Sequence, residues 1–491
     1  MTRVVAPLAL GWTLLTVFSV AGAAEPPNIL WVILDDCRAD AFGCYGQPWA
    51  STPNFDRIAE RGVRFETAIV QSMVCQPSRH SFLTGHYPHR LRHMAMGPPA
   101  DPPPMYFRGE VPTARLDLPA VLASLGMRPL TVGKTHHGHW EQIEYDKPPR
   151  VDPNYKPDRG RVYSQVELVA PQKFPPRRAG TRRRWLIGGT ELRRVEDSRP
   201  ARITDAALKT LAGLCQKKQP FFLRVSYHAP HIPIQVPAEF MPDPESIRLP
   251  YPTDEELASK PYFERHALHQ YAGTTHMKRE DLQVARATYY GMVSLVDAQF
   301  GRIVRYLEEQ GQLDNTLIAV NADHGLQLGE HGLHKKRSFY EQTVAVPFLF
   351  AWPGRLPHGK VIREPIEFLD FLPTVFDLVG VPVPAGIAGR SLVPLIRGEV
   401  KEWRKAVFCE IDHARSYYTA LRVHTGRRIM VRTKEWKMIY FRDPRVPSKD
   451  GALYHLLEDP GETRNLYADP RHADVREELE RLVDAWDERQ E

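Results

Sequence analysis

The chain has 491 residues, a formal net charge of +6 and 42% hydrophobic residues. This length fits one large α/β domain with a small second domain, and the apolar content allows a sizeable core. The mild positive charge does not predict nucleic-acid binding, and it agrees with an anionic substrate. Five cysteines are too few for a disulfide framework in an exported protein, although Cys37 and Cys44 could pair.

The first 24 residues are typical of a signal peptide. Arg3 gives a positive start, residues 4–20 are mainly apolar, and small residues offer a cleavage site near Ala23 or Ala24. An uncleaved anchor helix is the alternative, but the apolar run is short for a membrane span. We therefore expect an exported protein, periplasmic or extracellular, without a stable membrane span.

Polar clusters follow apolar stretches at four places along the chain. The apolar stretches, each suited to a strand buried on both faces, are residues 28–34, 129–132, 220–227 and 316–320. The polar residues after them are Asp35 and Asp36, Lys134 with His136 and His137, His228 and His231, and Asp323 with His324. Helical patterns between the stretches predict a doubly wound α/β fold, with helices flanking the sheet. If the strands are parallel, all four clusters lie at one edge of the sheet, where such sheets bind ligands.

The remaining pattern divides the chain into two parts after the signal peptide. Helices are expected at residues 53–61, 116–125, 201–215 and 281–310. Residues 251–278 are polar and are interpreted as an insertion or a loop over the site. Short strands and a charged helix are expected at 406–408, 419–422, 428–432, 436–440, 453–456 and 474–490. We therefore predict a signal peptide at 1–24, a catalytic domain at 25–400, and a subdomain at 401–491 with a small antiparallel sheet and a terminal helix.

Three carboxylates, from Asp35, Asp36 and Asp323, are expected to meet at this edge beside His324. Like charges at that range cannot all stay ionised without a cation. Oxygen ligands suit a hard divalent ion such as calcium or magnesium, and the histidine leaves room for manganese or zinc. The alternative for each aspartate is an N-cap of the helix that follows it.

The segment Cys75-Gln76-Pro77-Ser78-Arg79 precedes Leu83-Thr84-Gly85. Pro77 suits the first position of a helix and Gly85 suits its end, so Cys75 is expected at the N-terminus of a short helix. Free N–H groups there favour an anion, and Arg79 lies one turn further along. On geometry alone, a buried structural cysteine is the alternative.

The pattern Cys-x-Pro-Ser-Arg with the trailing Leu-Thr-Gly resembles the signature of the formylglycine-dependent sulfatases, the type I sulfatases of the alkaline phosphatase superfamily. Segments 35–38, 43–46 and 227–233 are similar to the iduronate-sulfatase and choline-sulfatase branches. The resemblance implies an alkaline-phosphatase-like fold, with a large, mostly parallel sheet, and hydrolysis of sulfate monoesters on sulfated sugars or polysaccharides. It also implies that a formylglycine-generating enzyme oxidises Cys75 to formylglycine, whose hydrate is the nucleophile.

The resemblance also implies roles for single residues. The implied ligands of one calcium ion, with magnesium or manganese as alternatives, are Asp35, Asp36, Asp323, His324 and the modified Cys75. The implied catalytic residues are Cys75, Arg79, Lys134, His136, His231 and Lys336. In this set Lys134 and Lys336 hold sulfate, His136 assists the aldehyde, and His231 protonates the leaving group. The rivals of His136, His231 and Lys336 are His137, His228 and Lys335.

Two other functions remain open at this point. One is a phosphonate monoester or phosphodiester hydrolase of the same superfamily. The other is a catalytically silent protein that binds sulfated glycans and in which Cys75 is never converted. The arginine-rich stretch at 173–194 is either a solvated loop or a basic rim that faces the substrate.

Overall fold

The computed structural model describes residues 26–91, 121–122, 125–135, 141–144, 161–169, 184–412, 427–442 and 450–488. In chain order its strands β1 to β18 are Asn28–Asp35, Val63–Phe65, Ala68–Ile69, Pro129–Gly133, Glu141–Ile143, Val166–Val169, Arg184–Gly188, Phe222–Pro230, Thr316–Ala322, Gln327–Leu328, His334–Lys335, Phe348–Ala351, Lys360–Ile362, Ile366–Glu367, Val407–Asp412, Arg427–Arg432, Trp436–Phe441 and Ala452–His455. The α-helices, α1 to α10, are Pro53–Glu60, Cys75–Thr84, Arg199–Gln216, Asp254–Ser259, His269–Ala272, Arg279–Glu309, Glu341–Val344, Phe371–Leu378, Val393–Arg397 and Ala473–Glu488.

The central sheet has eight strands in the order β13-β2-β12-β9-β1-β8-β4-β5. The run from β9 to β5 is parallel throughout, and β12 is antiparallel to both of its neighbours. Helices α3 and α6 pack on β8 and on each other. All eight residues of β1 are buried, as its unbroken apolar run requires. The predicted fold class, a mostly parallel sheet flanked by helices, is confirmed.

A second sheet forms the C-terminal part of the chain. Strands β15 to β18 pair antiparallel in sequence order, and α10 packs on them through an apolar face. The Trp486 ring of α10 stacks on Phe408, with ring centres 4.6 Å apart. The predicted small antiparallel sheet with its terminal helix is therefore confirmed. The strand predicted at 419–422 lies outside the described residues, and so does most of the helix predicted at 116–125.

Some local expectations were wrong. Residues 251–278 are not an irregular loop: they contain α4, a π-helical turn at Glu264–Leu268, and α5. Polar side chains of this segment are buried in ion pairs, which polarity along the sequence cannot distinguish from solvation. Helix α2 begins at Cys75 itself rather than at Pro77. Its predicted end at Gly85 is confirmed, because Gly85 has a left-handed φ of 70°.

All five cysteines are free thiols, so Cys37 and Cys44 do not pair in this structure. Among the described residues, no helix is long and apolar enough to cross a membrane.

A buried ion cluster joins the C-terminal sheet to the main domain. The ammonium of Lys437, on β17, lies 2.6 Å from Glu341 Oε1 and 2.6 Å from Glu462 Oε1. It also donates to the backbone oxygen of Phe339 at 3.0 Å. The side chains of Lys437 and Glu462 are both fully buried. Removing one member of such a cluster leaves uncompensated buried charge.

We therefore expect Lys437→Ala to lower the free energy of unfolding by about 3–5 kcal/mol, measured by urea denaturation. Lys434→Ala is the matched control, because Lys434 pairs with Glu364 at 3.7 Å on the surface. Lys434→Ala is expected to lower the free energy of unfolding by less than about 1 kcal/mol. Equal losses for the two variants would contradict the role assigned to Lys437.

Candidate active site

The parallel strands bring the predicted polar clusters to one edge of the central sheet. Asp35 ends β1, and Asp323 follows directly after β9, which pairs with β1. Lys134 follows β4 and His231 follows β8, which pairs with both β1 and β4. His228, by contrast, lies inside β8, because that strand runs three residues further than predicted. His136 and His137 lie outside the described residues.

The two adjacent aspartates point into this site from a strained turn. Asp36 has a φ of 65°, a left-handed conformation that costs free energy for any residue other than glycine. Its backbone N–H donates to Asp323 Oδ1 at 3.2 Å. Burial raises the pKa of Asp36, but Lys336, His231 and His324 together hold it below its ordinary value. The turn therefore presents Asp36 as a carboxylate.

Asp35 and Asp323 are fully buried carboxylates held between cations. Lys134 Nζ contacts Asp35 Oδ2, and Arg79 Nη2 lies 3.7 Å from the same oxygen. Apart from these ion pairs, neither oxygen of Asp35 accepts a hydrogen bond from the described residues. Arg79 Nε donates to Asp323 Oδ2 at 2.8 Å. Burial raises the pKa of Asp323, but Arg79, His324 and Lys134 lower it well below its usual range.

Arg79 serves this cluster as a positioning residue. Its side chain is fully buried, and its guanidinium also donates to Ser226 Oγ at 3.0 Å and to the backbone oxygen of Lys134 at 3.2 Å. Ser78 Oγ donates to the backbone oxygen of Asp323 at 2.6 Å. The contacts of Ser78 and Ser226 were missed from the sequence, although Ser78 belongs to the cysteine motif.

Cys75 opens α2 and lies at the centre of the cluster. Its Sγ is 2.9 Å from Lys336 Nζ and 3.2 Å from His324 Nε2. Burial raises the pKa of the thiol to about 11, against the opposing effect of Lys336. An unmodified Cys75 is therefore a neutral thiol at neutral pH, and thiols react as nucleophiles mainly in the thiolate form.

The two neighbouring lysines 335 and 336 point to different places. Lys336 Nζ lies 2.7 Å from Asp36 Oδ1, in contact with the cluster. Burial lowers its pKa, but Asp36, Cys75 and Asp323 outweigh burial and raise it. Lys335 Nζ lies 3.3 Å from the centre of the Trp185 ring. The structure thus brings Lys336, and not Lys335, to Cys75.

The imidazoles of His324 and His231 have the same tautomer. His324 Nδ1 lies 3.0 Å from the backbone oxygen of Gly325, and His231 Nδ1 lies 2.6 Å from that of Ile232. A carbonyl only accepts, so Nδ1 carries the proton in both rings and Nε2 is the atom that binds or moves a proton. Burial lowers the pKa of each ring to about 4. Burial also lowers the pKa of His228 to about 3, with a further contribution from the charge of Arg199.

These residues can hold a metal ion. Ligand atoms lie within 4.8 Å of one another in two overlapping groups, which are Asp35, Cys75, Asp323 and His324, and Asp35, Asp36, Cys75 and His231. The Asp35 oxygens are buried, and apart from the ion pairs of Oδ2 with Lys134 and Arg79 they accept no hydrogen bond from the described residues. They are the donors that a hard cation would use. The donor set is therefore suited to a divalent cation.

A cavity of about 430 Å³ adjoins the cluster. His228 and His231 line it, with the apolar side chains of Met292 and Leu295. Its remaining wall carries charge, from Glu191, Arg193 and Arg199. Of these three charged residues, only Arg193 was noted in the sequence, as one arginine of the arginine-rich stretch at 173–194. Arg199, the first residue of α3, was missed because it stands alone in the sequence.

Comparison with known proteins identifies the family of the chain. The family model described as Sulfatase matches residues 27–381. The chain belongs to the sulfatase family. A second model, described as N-sulphoglucosamine sulphohydrolase, C-terminal, matches residues 329–489. The sequence-based family assignment and the prediction of a sulfuric ester hydrolase are confirmed.

Several sulfatase-family relatives align over nearly the whole chain. PehA of Trinickia caryophylli, a multifunctional alkaline phosphatase superfamily protein, is 27% identical over 94% of this chain and 95% of its own. The N-acetylglucosamine-6-O-sulfatase of Bacteroides thetaiotaomicron is 26% identical over 96% of this chain and 89% of its own. Among solved structures, the phosphonate monoester hydrolase of Silicibacter pomeroyi superposes with a TM-score of 0.74 at 26% identity, covering 95% of this chain and 96% of its own.

Proposed function

We propose that this sulfatase hydrolyses sulfate monoesters of sugars, with residue 75 converted to formylglycine and one divalent ion, calcium, at the aspartate cluster. The observation that carries the proposal is the position of Cys75. It opens a helix, it contacts Lys336 and His324, and its ligand atom lies within 4.8 Å of those of Asp35 and Asp323. An aldehyde hydrate there would lie among cations and at a helix N-terminus, both of which stabilise anions.

The residues suited to hold the ion are Asp35, Asp36, Asp323 and His324, together with the modified residue 75. Oxygen donors predominate, which favours calcium over softer ions. When bound, such an ion supplies Lewis-acid stabilisation of negative charge on the sulfuryl oxygens. The hydrate of formylglycine supplies the nucleophilic hydroxyl.

The chain's own side chains supply charge and a proton. Lys134 and Lys336 bring amino groups to the cluster from two different elements. Burial lowers the pKa of Lys134 to about 7, and a bound anionic ester favours its ammonium form, so both lysines can bind the sulfate oxygens. Arg79 holds Asp323 and the backbone at Lys134 in place. A ring nitrogen of His231 belongs to the cluster, and the ring also lines the cavity. Because Nδ1 is bonded to the Ile232 carbonyl, Nε2 is the nitrogen suited to protonate the departing alcohol oxygen. A bound anionic ester favours the imidazolium form of this ring.

The sugar substrate is supported by the names of relatives, such as the N-acetylglucosamine-6-O-sulfatase. The cavity also fits, since about 430 Å³ lies within the usual range of about 300–1,000 Å³ for small-molecule pockets. We also propose that residues 1–24 direct export, with cleavage near Ala23 or Ala24. A formylglycine-generating enzyme would be the maturation partner.

A phosphonate monoester or phosphodiester hydrolase is the second candidate. The observation that favours it is the likeness to the Silicibacter pomeroyi phosphonate monoester hydrolase, which extends over 95% of the chain. The two substrate classes carry the same single negative charge but differ at the atom attacked: the sulfur of a sulfate monoester has three terminal oxygens, whereas the phosphorus carries a second organic substituent. Relative kcat/KM therefore separates the two functions. Purified matured protein should be assayed with sugar sulfates, aryl sulfates, phosphonate monoesters and phosphodiesters. Higher kcat/KM on the phosphorus esters would replace the proposed function with this one.

The first prediction from the proposed function is that Cys75 is converted to formylglycine. Protein produced with a formylglycine-generating enzyme should show the aldehyde at position 75 by peptide mass analysis, and its activity should rise with the converted fraction. Cys75→Ala should fold and be inactive, because it removes the nucleophile. Cys215→Ala, a free thiol at the end of α3, is the control and should retain activity. An active preparation that carries only the thiol would exclude this mechanism.

The second prediction concerns the metal. Chelation should abolish turnover and calcium should restore it, and elemental analysis should find one ion per chain. Calcium should also raise the melting temperature, because an ion that binds only the folded state stabilises it. Asp323→Asn should lose both the bound ion and this thermal shift. Full turnover without detectable metal would contradict the proposal.

Asp297→Asn is the control for the metal experiment. Asp297 is also a buried aspartate, but it accepts hydrogen bonds from the backbone N–H groups of Asn54 and Phe55 at the start of α1. It lies outside both groups of candidate ligands. We expect this variant to keep its metal content and the calcium-dependent thermal shift, whatever its own stability. Loss of the shift in both variants would mean that the shift reports general destabilisation.

The third prediction tests His231 as the general acid. A sugar alkoxide needs a proton to leave, whereas a nitrophenolate hardly does. His231→Ala should therefore lower kcat/KM for sugar sulfates by roughly 10²–10⁴, with a much smaller loss for nitrophenyl sulfate. The same comparison with His228→Ala tests the rival donor. Equal losses on both substrates for His231→Ala would show that this ring only binds, and a selective loss for His228→Ala would assign the proton to that residue.

A further inference from the structure

The cavity beside the sulfate-binding cluster is where the leaving sugar must lie. His231 belongs to both places: its ligand atom lies within 4.8 Å of those of Asp35, Asp36 and Cys75, and its ring lines the cavity. An alcohol oxygen that takes a proton from His231 Nε2 therefore has its sugar ring on the cavity side. The apolar side chains of Met292 and Leu295 offer this ring a hydrophobic wall.

The charges on the cavity wall do not cancel. Arg193 and Glu191 form an ion pair with each other, so they contribute no net charge. Arg199 is different: within the part of the chain that the structure describes, its side chain forms no ion pair and no hydrogen bond. Its positive charge helps to lower the pKa of His228 and opposes the rise that burial causes in the pKa of Glu191; both residues line the same cavity. Among the described residues, the wall thus carries two guanidinium groups and one carboxylate, outside the cluster proposed to bind the scissile sulfate.

We propose that Arg199 binds a second anionic group on the sugar, so that the preferred substrate is a sulfated sugar that carries another carboxylate or sulfate. This inference rests on the proposed function. A guanidinium matches either oxyanion with two parallel N–H donors, and charge-assisted bonds of this kind are stronger than neutral ones. A carboxylate and a second sulfate share this chemistry, and matched substrates distinguish them.

The test uses two pairs of monosaccharide substrates. One pair is a uronic acid 2-sulfate and the corresponding hexose 2-sulfate, which differ in the carboxylate. The other is N-sulfated and N-acetylated glucosamine 6-sulfate, which differ in the second sulfate. The fully matured wild-type enzyme should show a higher kcat/KM for the dianionic member of at least one pair, and that pair identifies the anion.

Arg199→Gln should then lower kcat/KM for the preferred dianion by about ten- to a hundredfold, mainly through KM, and leave kcat/KM for its monoanionic counterpart unchanged. Arg199→Lys keeps the positive charge but lacks the two parallel N–H donors of the guanidinium, so its loss of kcat/KM should be smaller. Arg202→Gln is the matched control, because Arg202 lies on the same helix, pairs with Asp197 at 2.6 Å and is not part of the cavity wall. This variant should leave kcat/KM unchanged for both members of each pair.

The outcomes separate this inference from the function on which it rests. Turnover of the monoanionic sulfates by wild type supports the sulfatase assignment independently of Arg199. Equal effects of Arg199→Gln on the dianionic and monoanionic members, or no preference for either dianion, would overturn the role of Arg199 while the sulfatase assignment stands. Absence of turnover of every sulfate ester, with turnover of phosphonate monoesters, would overturn both.

Discussion

The balance of charge around three buried aspartates is the constraint on which the site depends. Asp35 and Asp323 are fully buried and Asp36 nearly so, and each faces a cation. Burying such carboxylates without partners would cost several kcal/mol per ion. The partners come from separate parts of the chain: Arg79 from α2, Lys134 from the end of β4, and Lys336 from the segment after β11. The parallel sheet makes this possible, because its strands deliver their C-terminal residues to one edge.

The three cations are not equivalent. Arg79 is fully buried, and its guanidinium bonds to a carboxylate, a hydroxyl and a backbone carbonyl at fixed distances. Its planar fork suits a permanent structural position. Lys134 and Lys336 each carry a single ammonium at the end of a flexible chain, and Lys336 also contacts the Cys75 sulfur. A lysine can exchange one anionic partner for another. This difference agrees with the proposed roles, in which Arg79 is the positioning residue and the two lysines bind sulfate.

How far the sequence predicted this site depends on the kind of signal. Unbroken apolar runs ending in charged pairs were sufficient to place Asp35, Asp36 and Asp323 at one sheet edge, because strand direction follows from the alternation of strands and helices. The end of β8 was not predictable in this way, since His228 continues the strand although it is polar. Arg199 could not be found either, because nothing in the sequence around a single arginine at the start of a helix indicates that its side chain lines a cavity.

The choice between Lys335 and Lys336 shows what only the tertiary structure determines. Lys335 and Arg337 have left-handed φ values of 89° and 83°, so the backbone turns sharply on each side of Lys336. Such conformations persist only where the surrounding structure imposes them. Here the C-terminal sheet contributes, since Lys437 bonds to the backbone oxygen of Phe339, two residues beyond Arg337. Glu462 accepts from the N–H of Glu341 at 2.7 Å in the same segment. The C-terminal sheet therefore does more than cover the main domain: it fixes the backbone that holds Lys336 against Cys75.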